Sequence, residues 1–339
     1  MKVALIGLGM VSRTYADAIA NSDRVTLGPV YARNPESRAA FLAAYPALQA
    51  VEAESVHAIA DDPEVGFVIV TTPPDARLEI AAILGQAGKP ILMEKPIERT
   101  LEAATEVVEL CEDLGVPLGI VLQHRARPDF QNLATQMDAL GPLIAAEVSV
   151  PWWRPQSYYD EPGRGSYERD GGGVLITQAI HILDLMLALT GSVAEVSAMC
   201  ATSAFHSMET EDFVVAGLAF SNGAVGQLFA STASFPGTRE TIAVHCRDGS
   251  ARLEGGVLRL DWQDGRSETI GEAAASGSGA DPMAFSSDRH RNVIEDFAQA
   301  IETGRAPMIT GRSALEVHRL IAVIEAASQA GARLSVREV

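Results

Sequence analysis

The stretch Gly7-Leu8-Gly9-Met10-Val11-Ser12 follows the apolar run Val3 to Ile6 and opens a helical pattern that continues to Ala20. Glycines at this spacing let the backbone approach a pyrophosphate, and the free N–H groups at a helix N-terminus favour negative charge. The stretch therefore predicts a dinucleotide-binding loop, although Ser12 stands where Gly or Ala is usual. The alternative is a plain strand-to-helix turn. The predicted cofactor-binding residues of this loop are Gly7, Gly9, Met10 and Val11.

Strand-like and helix-like segments alternate over the first 120 residues. Such alternation indicates parallel pairing, because a crossover helix returns the chain to the same end of the sheet. We therefore predict a doubly wound α/β domain over residues 1–123. Its further strands are expected at Val25–Tyr31, Gly66–Thr71, Pro90–Met93 and Pro117–Leu122, with helices at Glu36–Ala44, Asp75–Gln86 and Thr100–Leu114.

The pattern changes after Gln123, and residues 124–339 are predicted to form a second domain. Asn222-Gly223 lies between two strand-like runs and predicts a hairpin, and Asp248-Gly249 predicts another. The strands from Val193 to Ile270 should be antiparallel. Further elements are expected as helices at Phe130–Ala139, from Gly173 to near Gly191, at Met283–Thr303 and at Arg312–Ala330, strands at Leu143–Val150 and Leu334–Val336, and a mobile loop at Gly271–Asp281.

Composition narrows the possible partners. The 339 residues carry a net charge of -18, which argues against nucleic acid or an anionic membrane as the main partner because both require a basic surface. No membrane span is expected, because no apolar stretch approaches the roughly 20 residues that cross a bilayer. The three cysteines have no Cys-x-x-Cys spacing, so neither a disulfide framework nor a metal site is predicted, and a cytoplasmic location is expected.

The end of the second strand bears on the choice of cofactor. An acidic residue usually binds the ribose 2′-hydroxyl of NAD about 20 residues after the glycines, but Ala32 stands near that position. The adjacent Arg33 could pair with a 2′-phosphate, so NADP is favoured over NAD, with Arg33 and Asn34 as cofactor-binding residues. Alternatively, Arg33 is a solvated loop residue that stacks on adenine.

Two further strand ends carry candidate residues. Thr72 and Pro73 are predicted to expose backbone to the cofactor, although this segment is equally a strand end whose Asp75 caps the next helix. Glu94 and Lys95 follow the apolar run Pro90–Met93 and are placed at the cofactor as well. An amine there could exchange a proton with a substrate hydroxyl if its pKa were lowered toward neutrality. The alternative is a surface lysine beside an edge strand.

The predicted second domain supplies a histidine and an aromatic segment. On an α-helix, Thr177, His181 and Asp184 would lie on one polar stripe, which favours an oriented imidazole over a core histidine. Metal ligation is less favoured because His181 lacks a partner at His-x-x-x-His spacing. Arg154 and Tyr158 belong to the aromatic segment Trp152–Tyr159, which suits either a sugar or a subunit interface.

These motifs together resemble the glucose–fructose oxidoreductase, inositol dehydrogenase and MocA family, written Gfo/Idh/MocA. The resemblance rests on the glycine loop, Thr72-Pro73-Pro74, Glu94-Lys95-Pro96, Gln123-His124-Arg125 and the Gly171-Gly172-Gly173 helix with His181. It implies an N-terminal Rossmann domain and a C-terminal α/β domain with a large open, mainly antiparallel sheet, used for homodimer or homotetramer packing. It also implies Lys95 and His181 in the active site. The substrate-binding candidates are Gln123, Arg154, Tyr158, Thr177 and Gln178.

The chain departs from the family at one position. Many of these dehydrogenases carry an aspartate four residues before the histidine, where this chain has Thr177. Threonine cannot accept a proton at neutral pH, so proton transfer is left to Lys95, His181 or both. The expected function is an NAD(P)-dependent oxidoreductase of a sugar, polyol or sugar derivative. The alternatives are a non-catalytic dinucleotide-binding regulator, or a sugar oxidoreductase that recycles a tightly bound cofactor.

Overall fold

The computed structural model describes residues 1–272 and 286–336, which divide into two compact units. The first unit contains Met1–Gln123 together with Ser286–Leu315, and the second contains the remaining described residues. The sequence analysis placed residues 286–315 in the second domain, whereas in the structure they belong to the first unit. The predicted loop at Gly271–Asp281 lies outside the described residues from position 273 onward.

The strands are numbered in chain order. They are β1 (Lys2–Ile6), β2 (Thr26–Tyr31), β3 (Val51–Glu52), β4 (Val65–Val70), β5 (Ile91–Glu94), β6 (Leu118–Val121), β7 (Leu143–Pro151), β8 (Val193–Ala201), β9 (Phe213–Phe220), β10 (Val225–Ser231), β11 (Thr241–Cys246), β12 (Gly249–Glu254), β13 (Val257–Trp262), β14 (Ser267–Ile270) and β15 (Leu334–Ser335).

The α-helices are numbered in the same way. They are α1 (Ser12–Ala20), α2 (Pro35–Ala44), α3 (Val56–Ala60), α4 (Arg77–Gln86), α5 (Leu101–Asp113), α6 (Pro128–Leu140), α7 (Gln156–Tyr159), α8 (Tyr167–Asp170), α9 (Ile180–Thr190), α10 (Asp288–Thr303) and α11 (Gly311–Ala330). A 3₁₀ turn at Pro74–Ala76 precedes α4, whose N-cap Ala76 has no side-chain hydrogen bond. Asp75 therefore does not cap this helix, because the turn that begins at Pro74 places it ahead of the first α-helical residue.

The sheet of the first unit is parallel, with strand order β3-β2-β1-β4-β5-β6. Its central strand, β1, is nearly continuous in apolar residues, and Val3 to Ile6 are at most 1% exposed. Such runs are typical of strands covered by helices on both faces. The strand order reverses beside β1, which is the switch point where α/β sheets bind ligands. The predicted doubly wound sheet is confirmed.

Helix α10 packs on this parallel sheet. Its Phe297 is fully buried, and its ring lies edge-on to Phe67 of β4 with centroids 5.1 Å apart. A Cβ atom at Gly119 of β6 would come within 2.7 Å of the Phe297 ring, so the glycine makes room for this aromatic side chain. This packing could not be predicted from neighbouring sequence, because α10 lies more than 160 residues after β6.

The sheet of the second unit is mainly antiparallel and has the order β14-β13-β12-β11-β7-β10-β9-β8-β15. One pair, β7 with β10, is parallel. The hairpin predicted at Asn222-Gly223 joins β9 and β10 and is confirmed. The turn between β11 and β12 consists of Arg247 and Asp248, so the predicted turn position is wrong by one residue because Gly249 begins β12.

Several central strands of this sheet, among them β7, β9, β12 and β13, have one buried and one more exposed face. In β7, Ala146, Val148 and Val150 alternate with more exposed residues and are at most 2% exposed. Helices α6 and α9 supply the apolar residues that cover the inner face, as contacts of α9 with β7 and of α6 with β12 and β13 show. The opposite face is open within the described residues, and it carries the exposed side chains of Met199 and Val215.

The helix predicted after Gly173 has two parts. Leu175–Ala179 forms a π-helical turn, and α9 begins at Ile180. The segment Tyr167–Thr190 has the length and hydropathy of a membrane span, contrary to the expectation from sequence, but 78% of its most apolar window is buried inside the protein. It therefore fits a core element of the second unit.

Candidate functional site

The glycine loop lies at the carboxyl end of β1, beside the end of β4. Gly7 has φ +99°, and a Cβ atom there would lie 2.7 Å from the Thr71 carbonyl carbon and the Thr72 nitrogen. Any larger residue would therefore push the loop away from β4. A Cβ at Gly9 would meet no atom within 4 Å, which leaves open space over its backbone. The loop thus has the close approach and the open face that a pyrophosphate requires.

Ser12 has a definite role in the loop. Its side chain is 2% exposed, and its hydroxyl donates to the Gly9 carbonyl oxygen at 2.6 Å. Its backbone N–H donates to the same oxygen at 3.1 Å. The departure from Gly or Ala at this position therefore closes the loop through an additional hydrogen bond.

A buried arginine that the sequence analysis missed connects the ends of β4 and β5. The Arg77 guanidinium is 3% exposed and donates to the Thr72 carbonyl at 3.1 and 2.7 Å. It also donates to the carbonyls of Glu94 and Pro96, on either side of Lys95. Burial lowers the pKa of Arg77 to about 10, which leaves it charged at neutral pH. Arg77 thereby holds the backbone on both sides of Lys95, whose peptide bond to Pro96 is cis.

The Glu94 side chain is buried beneath this turn. Its carboxylate accepts a hydrogen bond from the Tyr15 hydroxyl at 3.1 Å and lies 3.9 Å from Nε2 of His290. The Tyr15 and His290 rings meet edge-on at 5.3 Å. Burial raises the pKa of Glu94 and lowers that of His290 to about 3. The predicted role of Glu94 in cofactor binding stays a prediction, and its observed contacts anchor the residue beside Lys95 within the first unit.

The loop after β2 contains the residues predicted to select the cofactor. The Asn34 side chain caps α2 by accepting from the Glu36 N–H at 2.9 Å, while Arg33 is exposed. A second cation beside this loop, Arg38 of α2, was not singled out from the sequence. Its Nε donates to Glu52 at 2.6 Å and its Nη1 to the Ala32 carbonyl. The loop is thus held in place by Arg38, and the Arg33 side chain extends into solvent.

His181 lies on α9 in the second unit and stacks on His124. The two ring centroids are 4.7 Å apart with an interplanar angle of 28°, and both residues are at most 8% exposed. Asp184 binds the Arg125 guanidinium through both oxygens, at 2.8 and 2.6 Å. The expected stripe with Thr177 is not a regular α-helical one, since the π-helical turn changes the spacing ahead of α9. Asp184 instead fixes the chain that carries His124.

Three predicted substrate-binding residues are brought together in the second unit. The Thr177 hydroxyl lies 2.5 Å from the Gly173 carbonyl oxygen and also contacts the amide oxygen of Gln178. The Gln178 amide nitrogen reaches the Tyr158 hydroxyl at 3.5 Å. Thr177, Gln178 and Tyr158 therefore form one polar group. A hydroxyl-rich ligand could exchange hydrogen bonds with such a group.

Arg154 is buried to 2% exposure in the aromatic segment of the second unit. Its guanidinium carbon lies 5.4 Å from the Trp152 ring centroid and 5.6 Å from that of Tyr158, and Nη1 donates to the Trp153 carbonyl at 2.8 Å. These contacts hold the cation between aromatic faces. Its predicted contact with a substrate stays a prediction.

Two buried oxygen atoms of the first unit fit a bound ligand. Among the described residues, the Thr72 hydroxyl and the amide oxygen of Gln123 have no hydrogen-bond partner. Buried polar atoms are normally satisfied, so each is suited to a ligand or an ordered water. Thr72 follows β4 beside the glycine loop, where a dinucleotide is expected. The Thr72 hydroxyl and the open space over Gly9 thus fit the predicted cofactor.

Two protein-family models match the chain. The model described as "Oxidoreductase family, NAD-binding Rossmann fold" matches residues 1–121, and the model described as "GFO/IDH/MocA C-terminal domain" matches residues 134–252. An uncharacterized protein of Saccharomyces cerevisiae is 25% identical over 59% of this chain and 58% of its own length. The 1,5-anhydro-D-fructose reductase of Ensifer adhaerens is 29% identical over 81% of both chains.

A solved structure has the same fold over nearly the whole length. The WlbA dehydrogenase from Bordetella pertussis, in complex with NADH and UDP-GlcNAcA, is 26% identical and aligns with a TM-score of 0.84. The alignment covers 99% of this chain and 97% of that one. The similarity to this dehydrogenase therefore includes the second unit as well as the Rossmann unit.

The role of Arg77 predicts a stability effect. In Arg77→Lys, a single ammonium cannot reach three carbonyl oxygens that a planar guanidinium bridges, so buried acceptors lose their donors. We expect the free energy of unfolding to fall by about 1–3 kcal/mol in denaturant titrations. Arg305→Lys is the matched control, because Arg305 is partly exposed and its ion pair with Asp296 should contribute little. Equal losses in the two variants would contradict the bridging role.

Proposed function

Because the chain belongs to the GFO/IDH/MocA family of NAD-binding oxidoreductases, we propose that it oxidises or reduces a secondary carbinol of a sugar, polyol or sugar derivative. Lys95 and His181 are the proposed proton-transfer residues. When bound, the nicotinamide supplies the hydride acceptor or donor. A cytoplasmic location is part of the proposal, and it agrees with three free cysteines.

One observation carries this proposal above the others. Lys95 follows β5 directly, and β5 is two places from β1 in the sheet order, on the same side as β4. In parallel sheets the carboxyl ends of neighbouring strands meet at one edge, so Lys95 shares that edge with the glycine loop. An amine at this edge, with its backbone held on both sides by Arg77, suits proton exchange with a bound carbinol.

The second unit supports the proposal through the environment of His181. Histidine is a common general acid or base in enzymes, and the stacking of His181 on His124 limits the orientation of its ring. Thr177 cannot accept a proton at neutral pH, so it is proposed to bind a substrate hydroxyl together with Gln178 and Tyr158. Gln123 and Arg154 complete the proposed set of substrate-binding residues.

The proton-transfer proposal predicts the behaviour of Lys95→Met. Methionine keeps much of the side-chain volume but carries no proton, so turnover should fall by about 100-fold or more. Turnover is measured as the change in absorbance of NADH or NADPH, each in a separate assay, with a panel that contains myo-inositol, 1,5-anhydro-D-fructose and UDP-GlcNAcA. The affinity for each cofactor, measured by its fluorescence, should change little.

Two comparisons make this test decisive. Lys89→Met is the control, since Lys89 donates to the Asp62 and Val65 carbonyls at the other end of the sheet. Retained turnover in Lys95→Met would reject the role of Lys95. If the unaltered protein binds NADH or NADPH but exchanges no hydride from either with any member of a broad sugar, polyol and uronate panel, the non-catalytic regulator becomes the better description.

NADP is the proposed cofactor, and the proposal rests on Arg33. No carboxylate stands at Ala32 to repel a 2′-phosphate, and the guanidinium of Arg33 is exposed at the end of β2. Arginine pairs well with phosphate oxygens because its donors match their geometry. The neighbouring Arg38 forms an ion pair with Glu52, so Arg33 is the cation that we propose for the 2′-phosphate.

Replacement of Arg33 by Ala should therefore weaken NADPH binding by about 10-fold or more and NADH binding far less. Dissociation constants from fluorescence titration measure both effects. Arg24→Ala removes the same charge just before the amino end of β2 and should leave both constants unchanged. Equal losses for the two cofactors in Arg33→Ala would reject the 2′-phosphate proposal.

A homo-oligomer is proposed from the open face of the large sheet. Strand register places Met199, Val215, Phe229 and Ser149 in one row across β8, β9, β10 and β7. Met199 is 54% exposed and Val215 38%, and this face contains a shallow depression of about 600 Å³. Exposed apolar surface of this kind marks protein interfaces. A second copy of the chain, paired through the same sheet, is the proposed occupant.

The substitution Val215→Glu should therefore shift the protein toward monomer, because it places a charge at the centre of the apolar row. Size-exclusion chromatography with light scattering gives the mass of each species. Leu114→Glu introduces the same charge at a similarly exposed leucine on the first unit, and it should keep the mass of the unaltered protein. A monomeric unaltered protein would exclude the proposed oligomer.

A further inference from the structure

Two adjacent carboxylates, Glu211 and Asp212, lie immediately before β9 in the second unit. They are 5% and 0% exposed, which is unusual for charged residues unless they are well bonded. Neither was among the residues selected from the sequence. Glu211 binds the start of the segment that carries Thr177 and Gln178, and Asp212 is connected to Arg154 through intermediate residues.

Glu211 holds the entry to the helix that bears His181. Its two carboxylate oxygens accept from the Gly173 N–H at 2.9 Å and from the Leu175 N–H at 3.0 Å. Its own carbonyl accepts from the Val174 N–H at 2.9 Å. One residue thus satisfies three successive N–H groups at a helix start, where negative charge is also favoured.

Gly173, the third glycine of Gly171-Gly172-Gly173, is required by this contact with Glu211. A Cβ atom at position 173 would lie 1.8 Å from the Glu211 carbonyl oxygen, so only glycine permits the approach. The π-helical turn Leu175–Ala179 begins at the last of the three anchored N–H groups. The positions of Thr177 and Gln178 follow from this anchor.

A second carboxyl group, Glu325 of α11, faces Glu211. Burial and the charge of Glu211 raise the pKa of Glu325 to about 8, so Glu325 is protonated at neutral pH. Burial raises the pKa of Glu211 as well, but the N–H groups of Leu175 and Gly173 act in the opposite direction. Both oxygens of Glu211 already accept N–H groups, and this geometry favours the charged form of Glu211 next to the helix start.

Asp212 holds the backbone of the aromatic segment. Its carboxylate lies 2.7 Å from Nδ1 of His206, and Nε2 of that ring lies 2.8 Å from the Arg154 carbonyl oxygen. The Asp212 carbonyl accepts from the Thr232 N–H at 2.9 Å, and the Thr232 carbonyl accepts from the Arg154 N–H at 2.8 Å. Both backbone groups of Arg154 are thus connected to Asp212, each through one intermediate residue.

We propose that Glu211 and Asp212 are the positioning residues of the substrate side of the active site. Glu211 fixes the turn that carries Thr177 and Gln178 and leads into His181, and Asp212 fixes Arg154. Neither residue touches the substrate. The catalytic consequence rests on the proposed function above, whereas the structural consequence does not.

Hydrogen–deuterium exchange tests the structural consequence without any substrate. Glu211→Gln keeps the shape but replaces one acceptor oxygen by an amide donor that faces an N–H group. Exchange should accelerate by about 10-fold in peptides over residues 173–181 and stay unchanged over residues 152–158. Asp212→Asn should show the reverse pattern. Glu240→Gln is the control, since Glu240 is a similarly buried carboxylate of the same unit that binds Arg127, and it should affect neither peptide.

Kinetics then tests the catalytic consequence. In Glu211→Gln, kcat should fall by on the order of 100-fold, as expected for misplaced catalytic groups, while the dissociation constants of NADH and NADPH stay within about 2-fold. Glu240→Gln should keep kcat. Unaltered exchange in residues 173–181, or an unaltered kcat despite faster exchange there, would overturn the proposal. Absence of turnover in the unaltered protein would instead reject the proposed function, and the exchange pattern would still decide the positioning role.

Discussion

Buried charged side chains that bind main-chain groups hold the candidate site of each unit in place. In the first unit, the Arg77 guanidinium bridges carbonyl groups at the ends of β4 and β5. In the second, the Glu211 carboxylate binds N–H groups at a helix entry. A buried charge without partners is very costly, so each of these side chains strongly favours one backbone arrangement. The loops that carry Lys95 and His181 are thereby more restricted than ordinary connecting segments.

The parallel sheet explains why so many cofactor candidates come from short loops. All of its strands end at one edge, so the loops after β1, β2, β4 and β5 are neighbours although they are far apart in the chain. The large sheet serves a different purpose. Its inner face supports α9 with His181, and its open face leaves an apolar row that a second copy could cover. One sheet thus positions chemistry at strand ends, and the other positions it on a helix.

Local patterns were most reliable where one residue type is required by backbone geometry. The Gly7 loop, the hairpin at Asn222-Gly223 and the alternation of strands and helices were all read correctly. The stripe through Thr177 and Asp184 was wrong because it assumed a regular α-helix, whereas the chain forms a π-turn anchored by Glu211. The turn at Asp248 was misplaced by one residue, since a glycine can begin a strand as well as form a turn.

The sequence by itself determined the two sheets, the family and the set of candidate residues, because these depend on periodicity and on glycine, proline and charged residues at short spacings. Only the tertiary structure showed that α10 packs on the first unit, that Asp184 binds Arg125, and that Arg77 and Glu211 anchor the two loops. These are pairings between residues that are distant in the chain or between a side chain and remote backbone. A local sequence pattern does not show which backbone group a buried charge will bind, because those groups come together only when the strands have assembled.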